Sequence, residues 1–158
     1  MILDIQTGQN NPILRQKAKN VEEITAEIKQ LILDMEETLK KANGIGLAAN
    51  QVGKSLRIIQ IDIPSSRSKE KEYQFSLINP EIVKTSRKKT ILEEGCLSLP
   101  GFNALVERPK KITIKALNIN GEIVKIKADG LLAKVIQHEI DHLDGILIAD
   151  KSTGAAPL

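Results

Sequence analysis

The chain reads as an α+β protein, on three observations. Apolar residues recur at helical spacing from Ile28 to Leu39, and a second helix is expected near the other end, after Asp129-Gly130. Between them, short β-rich runs alternate with turn signals, so strands cluster in the middle and helices lie outside. Asn120-Gly121 is a strong two-residue hairpin signal between two of those runs. With 158 residues the chain is long enough to bury one sizeable core, and residues 1–158 read as a single domain. Two Phe, one Tyr and no Trp make that core aliphatic.

The elements follow in order. Residues 1–24 are mostly irregular, apart from a short helix over Asn11–Lys17 with Pro12 in its first turn. Thr25 caps a longer helix whose Ile28, Leu31, Ile32, Met35 and Leu39 form one apolar face, and Asn43-Gly44 stops it. A glycine-rich turn over Gly44–Gly53 comes next. It lacks the glycine spacing of a phosphate loop, and its small residues let the backbone approach something closely. Strands are expected at Arg57–Ile63, Gln74–Asn79, Ile82–Thr85, Thr90–Leu92, Ala104–Glu107, Ile112–Asn118 and Ile123–Lys127, with a solvated loop over Ser65–Glu72. Asp129-Gly130 breaks the last strand, and a final helix runs from about Leu131 to Leu143. The closing Ser152–Leu158 reads as irregular, with little apolar area to bury.

Charge and composition exclude several functions. The net charge of +3 comes from lysines scattered among acids, which describes a solvated surface. Aromatics are too few for a nucleic-acid stacking platform, so DNA binding is not expected. No run approaches 18 apolar residues, and the N-terminus lacks a basic region followed by a long apolar stretch. One cysteine cannot form an internal disulfide, which fits a reducing compartment, and a cytoplasmic location is expected.

The chemistry concentrates in Gln137-His138-Glu139-Ile140-Asp141-His142. Histidines four apart lie on one helix face about a turn from each other, so both imidazoles can reach one metal ion. The glutamate between them can approach a water on that ion, as in H-E-x-x-H metal-dependent hydrolases. Such short patterns also arise by chance, but this chain spends both of its histidines here. Its only cysteine, Cys96, lies in Glu93-Glu94-Gly95-Cys96-Leu97-Ser98-Leu99-Pro100. A lone cysteine is usually an inert small hydrophobe. Together with His138 and His142, however, Cys96 completes a three-ligand set with an open fourth position, the pattern of a catalytic metal centre.

Gly44-Ile45-Gly46-Leu47-Ala48-Ala49-Asn50-Gln51, Glu94-Gly95-Cys96-Leu97-Ser98 and the Gln137–His142 run resemble the three signature motifs of peptide deformylases, in the same order and at similar spacing. Similarity extends from about Asn11 to Gly145, including Asn11-Pro12-Ile13-Leu14-Arg15 and Gly101-Phe102. The resemblance implies antiparallel β-sheets packed around the C-terminal helix, with the N-terminal helix outside. It also implies removal of the formyl group from N-formylmethionine of nascent polypeptides, releasing formate. Cys96, His138 and His142 would hold one divalent transition metal, natively Fe²⁺, with Zn²⁺, Ni²⁺ or Co²⁺ able to substitute. The ion would lower the pKa of its water, Glu139 would take the proton, and hydroxide would attack the formyl carbon. Gln51 and the Leu97 N–H would stabilise the oxyanion.

Other roles stay open at this stage. Glu94 is either the acceptor that orients a ligand histidine or a solvated acid, and Asp141 is expected to pair with Arg108. Gly44, Ile45, Gly46, Leu92, Glu94, Gly95, Leu131 and Val135 surround the motifs and are candidate substrate-binding positions; the apolar ones could equally be plain core. Asn103 stands where many members carry an arginine, and the chain lacks the C-terminal helix with which some members engage the ribosome. Only weak ribosome association, and a monomer, are expected. Two other functions compete: a metalloprotease, and a catalytically silent metal-binding or ribosome-associated module. Glu139 and Gln51 argue against the silent module, because neither is needed to hold a metal.

Overall fold

A computed structural model describes residues 1–69 and 71–155. The elements run α1 (Pro12–Arg15), α2 (Ala26–Lys41), β1 (Gly46–Ala48), a 3₁₀ turn (Ala49–Val52), β2 (Ile58–Ile63), β3 (Tyr73–Thr85), β4 (Lys89–Gly95), β5 (Asn103–Pro109), β6 (Lys111–Leu117), β7 (Ile123–Asp129), α3 (Gly130–Leu143), α4 (Ile148–Lys151) and β8 (Ser152–Ala155). They form an antiparallel five-stranded sheet ordered β1-β2-β3-β6-β7 and a three-stranded sheet ordered β4-β5-β8. Helix α3 packs against β1, β2, β6 and β7 of the first sheet and β5 of the second. The α+β class and the central C-terminal helix thus agree with the sequence. Among the described residues no helix is long and apolar enough to cross a membrane.

The alternation of β2 explains this layering. Ile59, Ile61 and Ile63 project to one face and pack with Ile114, Ile136, Ile140 and Leu143. Ile58 faces the other way, with Ile78, against Leu31, Ile32, Met35 and Leu39 of α2. The strand is therefore buried on both sides, and each such aliphatic side chain contributes about 1.5–3 kcal/mol. Thr25 caps α2 by accepting from the Ile28 N–H at 3.3 Å. Gly145, at φ +74°, ends α3. The Gly145 N–H donates to His142 O and the Ile146 N–H to Asp141 O, at 3.0 and 2.9 Å, the two bonds of a Schellman cap.

Three local expectations are corrected. Gln74–Asn79 and Ile82–Thr85 belong to one strand, which passes Pro80 through a bulge where its register with β6 shifts between Ile78 and Glu81. Asn79 adopts φ +51° there, and its side chain accepts from the Val21 N–H and donates to Val21 O. The turn after α2 contains the short strand β1, paired to β2 from Gly46↔Ile61 to Ala48↔Ile59. Finally, the tail is not irregular throughout: Ser152–Ala155 pairs with Ala104–Val106 of β5, and the Thr153 hydroxyl donates to Leu105 O at 3.0 Å.

A chain ending at Asp150 would leave that edge of β5 unpaired. We expect it to lose about 2 kcal/mol of stability, at roughly 0.5–1.5 kcal/mol per ladder bond, read as a lower denaturant midpoint. An unchanged midpoint would show that the pairing contributes nothing.

Candidate active site

Helix α3 supplies three of the four residues at the centre. His138 and His142 stand one turn apart with ring centroids 4.9 Å from each other, and Glu139 lies beside them. The fourth, Cys96, follows the end of β4 and opens a turn closed by the Leu99 N–H donating to Cys96 O at 3.0 Å. Cys96 Sγ is 3.2 Å from His142 Nε2, which is 3.2 Å from His138 Nε2. The three donor atoms lie within 4.8 Å of one another.

Lone pairs converging at this range repel unless a positive charge lies among them. Burial disfavours the His138 imidazolium, but hydrogen bonds with Cys96 and Glu94 reverse this and raise it to about 10. For His142, burial and then the charge of His138 push protonation well below its ordinary value. A thiolate and two imidazoles focused on one point fit a divalent transition metal.

A network behind the histidines fixes their orientation. His138 Nδ1 donates to Glu94 Oε1 at 2.9 Å, which turns Nε2 towards the other donors. Arg108, only 3% exposed, grips the same carboxylate through Nε at 2.6 Å and Nη2 at 2.9 Å. It also donates from Nη1 to Asp141 at 2.7 Å, and Lys151 meets the other oxygen of Asp141 at 3.1 Å. Burial alone would raise the Glu94 carboxyl, yet the bonds from His138 and Arg108 bring it down to about 2. Its carboxylate is thus committed to positioning His138, although the residue borders the cleft. The Asn50 amide donates to the His142 carbonyl and ties the 3₁₀ turn to α3.

Glu139 is 3% exposed, and its Oε2 and the His142 Nδ1 are buried without a hydrogen-bond partner among the described residues. Burial raises its carboxyl to about 7, against the opposing charges of His138 and Arg108. A proton affinity near neutrality suits a group that takes and returns a proton. Gly46 lies against it: a Cβ there would stand 2.9 Å from Glu139 Cδ and Cγ and closer still to Oε1. Gly46→Ala should therefore displace the carboxylate and lower kcat about a hundredfold at normal metal content, because misplacement by about 1 Å can cost that much. Wild-type turnover would mean Glu139 has room to move without consequence.

The centre opens into a cleft of about 240 Å³, lined by Gly44, Ile45, Gly46, Gln51, Gly95, Leu97 and Val135 together with Glu94, Cys96, His138 and Glu139. The Gln51 side chain accepts from the Ala48 N–H at 2.9 Å. Its Nε2 donates to Ser98 Oγ at 3.0 Å and lies 3.8 Å from Cys96 Sγ. Of the residues expected around the site, Leu92 and Leu131 stand outside this lining. Leu92 is 38% exposed on β4, and Leu131 packs against the core. Sequence reasoning missed Arg67, Glu93 and Lys134, which complete the cleft wall, and the fully buried Ser98 that holds Gln51. Glu93 and Ser98 lie in the cysteine run itself, which does not say what they touch, whereas Arg67 and Lys134 are ordinary basic residues brought in by the fold.

A helix-borne histidine pair, a thiol from a facing turn and a buried carboxylate at the head of a cleft define a metallohydrolase centre. The comparisons narrow the class. A family profile described as polypeptide deformylase matches residues 2–156. A peptide deformylase of Halothermothrix orenii is 52% identical over 141 residues, spanning 89% of this chain and 88% of that one. The crystal structure of a peptide deformylase from Synechococcus elongatus, in complex with actinonin, superposes with a TM-score of 0.89 at 41% identity over 96% of this chain and 79% of that one. A Met-Ala-Ser-bound class I type b peptide deformylase from Acinetobacter baumannii gives 0.89 at 33% identity over 96% and 98%. The chain belongs to the polypeptide deformylase family, whose members are metal-dependent hydrolases.

Proposed function

We propose that the chain hydrolyses the formyl amide of N-formylmethionyl peptides and nascent chains. The observation that carries this is the focus of Cys96, His138 and His142 on one point beside the unpartnered, buried Glu139 oxygen. The Met-Ala-Ser ligand of the Acinetobacter baumannii relative supports a formyl-methionyl substrate, because it is what deformylation of formyl-Met-Ala-Ser leaves.

When bound, the ion acts as a Lewis acid that lowers the pKa of a water and polarises the formyl oxygen. Glu139 accepts the proton of the attacking water and returns one to the departing amine. Gln51 Nε2 and the Leu97 N–H donate to the formyl oxygen as its charge grows, where one such donor is worth about 2.7–4 kcal/mol. Ile45 and Val135 border the space for the methionine side chain, and Gly44, Gly46 and Gly95 line the same cleft, where the peptide would lie. The cysteine–histidine set suits several divalent ions; the family resemblance favours Fe²⁺ as the native one, with Zn²⁺, Ni²⁺ or Co²⁺ able to substitute.

A nascent-chain substrate and a lone thiol support a cytoplasmic location, and we infer a monomeric chain with only weak, salt-sensitive ribosome association. The reading is tested by incubating metal-loaded protein with formyl-Met-Ala-Ser and acetyl-Met-Ala-Ser. Formate without acetate release is expected. Release of neither would overturn the reading.

A further inference from the structure

One part of the cleft has no role in the chemistry above. Lys134 lies on α3 one turn before His138 and lines the cleft with Arg67 and Glu93. Its Nζ donates to the Glu93 backbone carbonyl at 3.2 Å, so that contact leaves the ammonium charge uncancelled. Burial lowers its proton affinity, and the charges of Arg67 and Arg108 lower it further, against Glu94 and Glu93. Glu94 is already bound by Arg108 and His138, and Glu93 is exposed, so its carboxylate is well solvated. A partly desolvated cation facing a substrate channel favours an incoming anion.

We propose that Lys134, assisted by Arg67, is a specificity residue that favours formyl-methionyl peptides carrying a carboxylate on the second or third residue. One helical turn, about 5.4 Å, separates Lys134 from the ligand His138 along α3. That is the reach of one or two residues beyond the reacting amide, since extended chain advances about 3.3 Å per residue. A carboxylate there replaces water at the Lys134 ammonium and leaves the reacting carbon untouched. The preference therefore appears in KM rather than kcat. The inference rests on the deformylase reading of the site.

The experiment uses the metal-loaded full chain and C-terminally amidated peptides: formyl-Met-Ala-Ser, formyl-Met-Asp-Ser, formyl-Met-Lys-Ser, formyl-Met-Ala-Asp and formyl-Met-Ala-Lys. The free acid of formyl-Met-Ala-Ser separates a terminal carboxylate from a side-chain one. Wild type should favour an acidic over a basic peptide about threefold to tenfold in kcat/KM, mostly through KM, the range of a partly exposed charge pair. Raising the salt to 1 M should erase most of that ratio. Lys134→Arg should keep the preference, Lys134→Met should abolish it and Lys134→Glu should invert it. Each variant is read as a ratio between peptides, so a general loss of activity does not mimic the effect. Equal kcat/KM for acidic and basic peptides in wild type, or an undiminished ratio in Lys134→Met and Lys134→Glu, would overturn the inference. Failure to release formate from any peptide would overturn the reading on which it stands.

Discussion

Glu139→Gln should retain the metal and lose at least about a hundredfold in kcat on formyl-Met-Ala-Ser, within the usual span for a group that moves protons. The amide matches the carboxylate in shape, so it fits beside Gly46, where a Cβ would already collide. It cannot accept a proton at pH 7. The wild-type carboxyl, raised to about 7 by burial, shares its proton readily near neutrality. Elemental analysis and steady-state kinetics on the same preparation separate the two effects. Near-normal turnover with a full complement of metal would place the base elsewhere. Loss of metal alongside activity would mean that Glu139 helps to hold the ion.

Replacement of Cys96, His138 or His142 by Ala should reduce bound transition metal from about one ion per chain to a small fraction, and activity with it. Each removes a third of a donor set whose atoms lie within 4.8 Å of one another. His142 is 1% exposed, so its truncation also opens a cavity; metal is therefore scored per folded chain, with Cys96→Ser as the mildest change of shape. Glu94 and Arg108 still hold His138 in the Cys96 variants, so the fold around α3 should persist. Unchanged metal content in all three positions would dismiss the centre.

Much of this was legible before any coordinates. Periodicity located α2 because its apolar face is aliphatic, the Asp129-Gly130 break and the paired histidines located α3, and Asn120-Gly121 marked the β6–β7 hairpin. The clustering of Cys96, His138 and His142 was legible because a helix places residues four apart on one face and the chain holds no other histidine or cysteine. The pairing of Asp141 with Arg108 matched expectation, and of the two readings left open for Glu94 the structure has the bond to His138.

The misses have a common cause in tertiary pairing. Pro80 reads locally as a strand breaker, yet a bulge carries β3 past it while Asn79 anchors Val21. Ser152–Ala155 has little intrinsic β signal and becomes a strand because β5 offers a free edge. Ser98 and Lys134 are common residue types, and only the fold brings them to Gln51 and to the cleft. Leu92 and Leu131 share a face with Glu94 and Val135 by periodicity, but they stand two residues and one turn farther from the centre, beyond the end of the lining.

The central claim is that this centre cleaves a formyl amide, and formate release measures it directly. Iron-loaded protein, prepared without oxygen, is incubated with formyl-Met-Ala-Ser beside unformylated Met-Ala-Ser and a chelator-treated control. The account predicts formate and Met-Ala-Ser in equal amounts from the first and nothing from the other two. A chain that holds its metal yet releases no formate, or that cuts between Met and Ala instead, would contradict it.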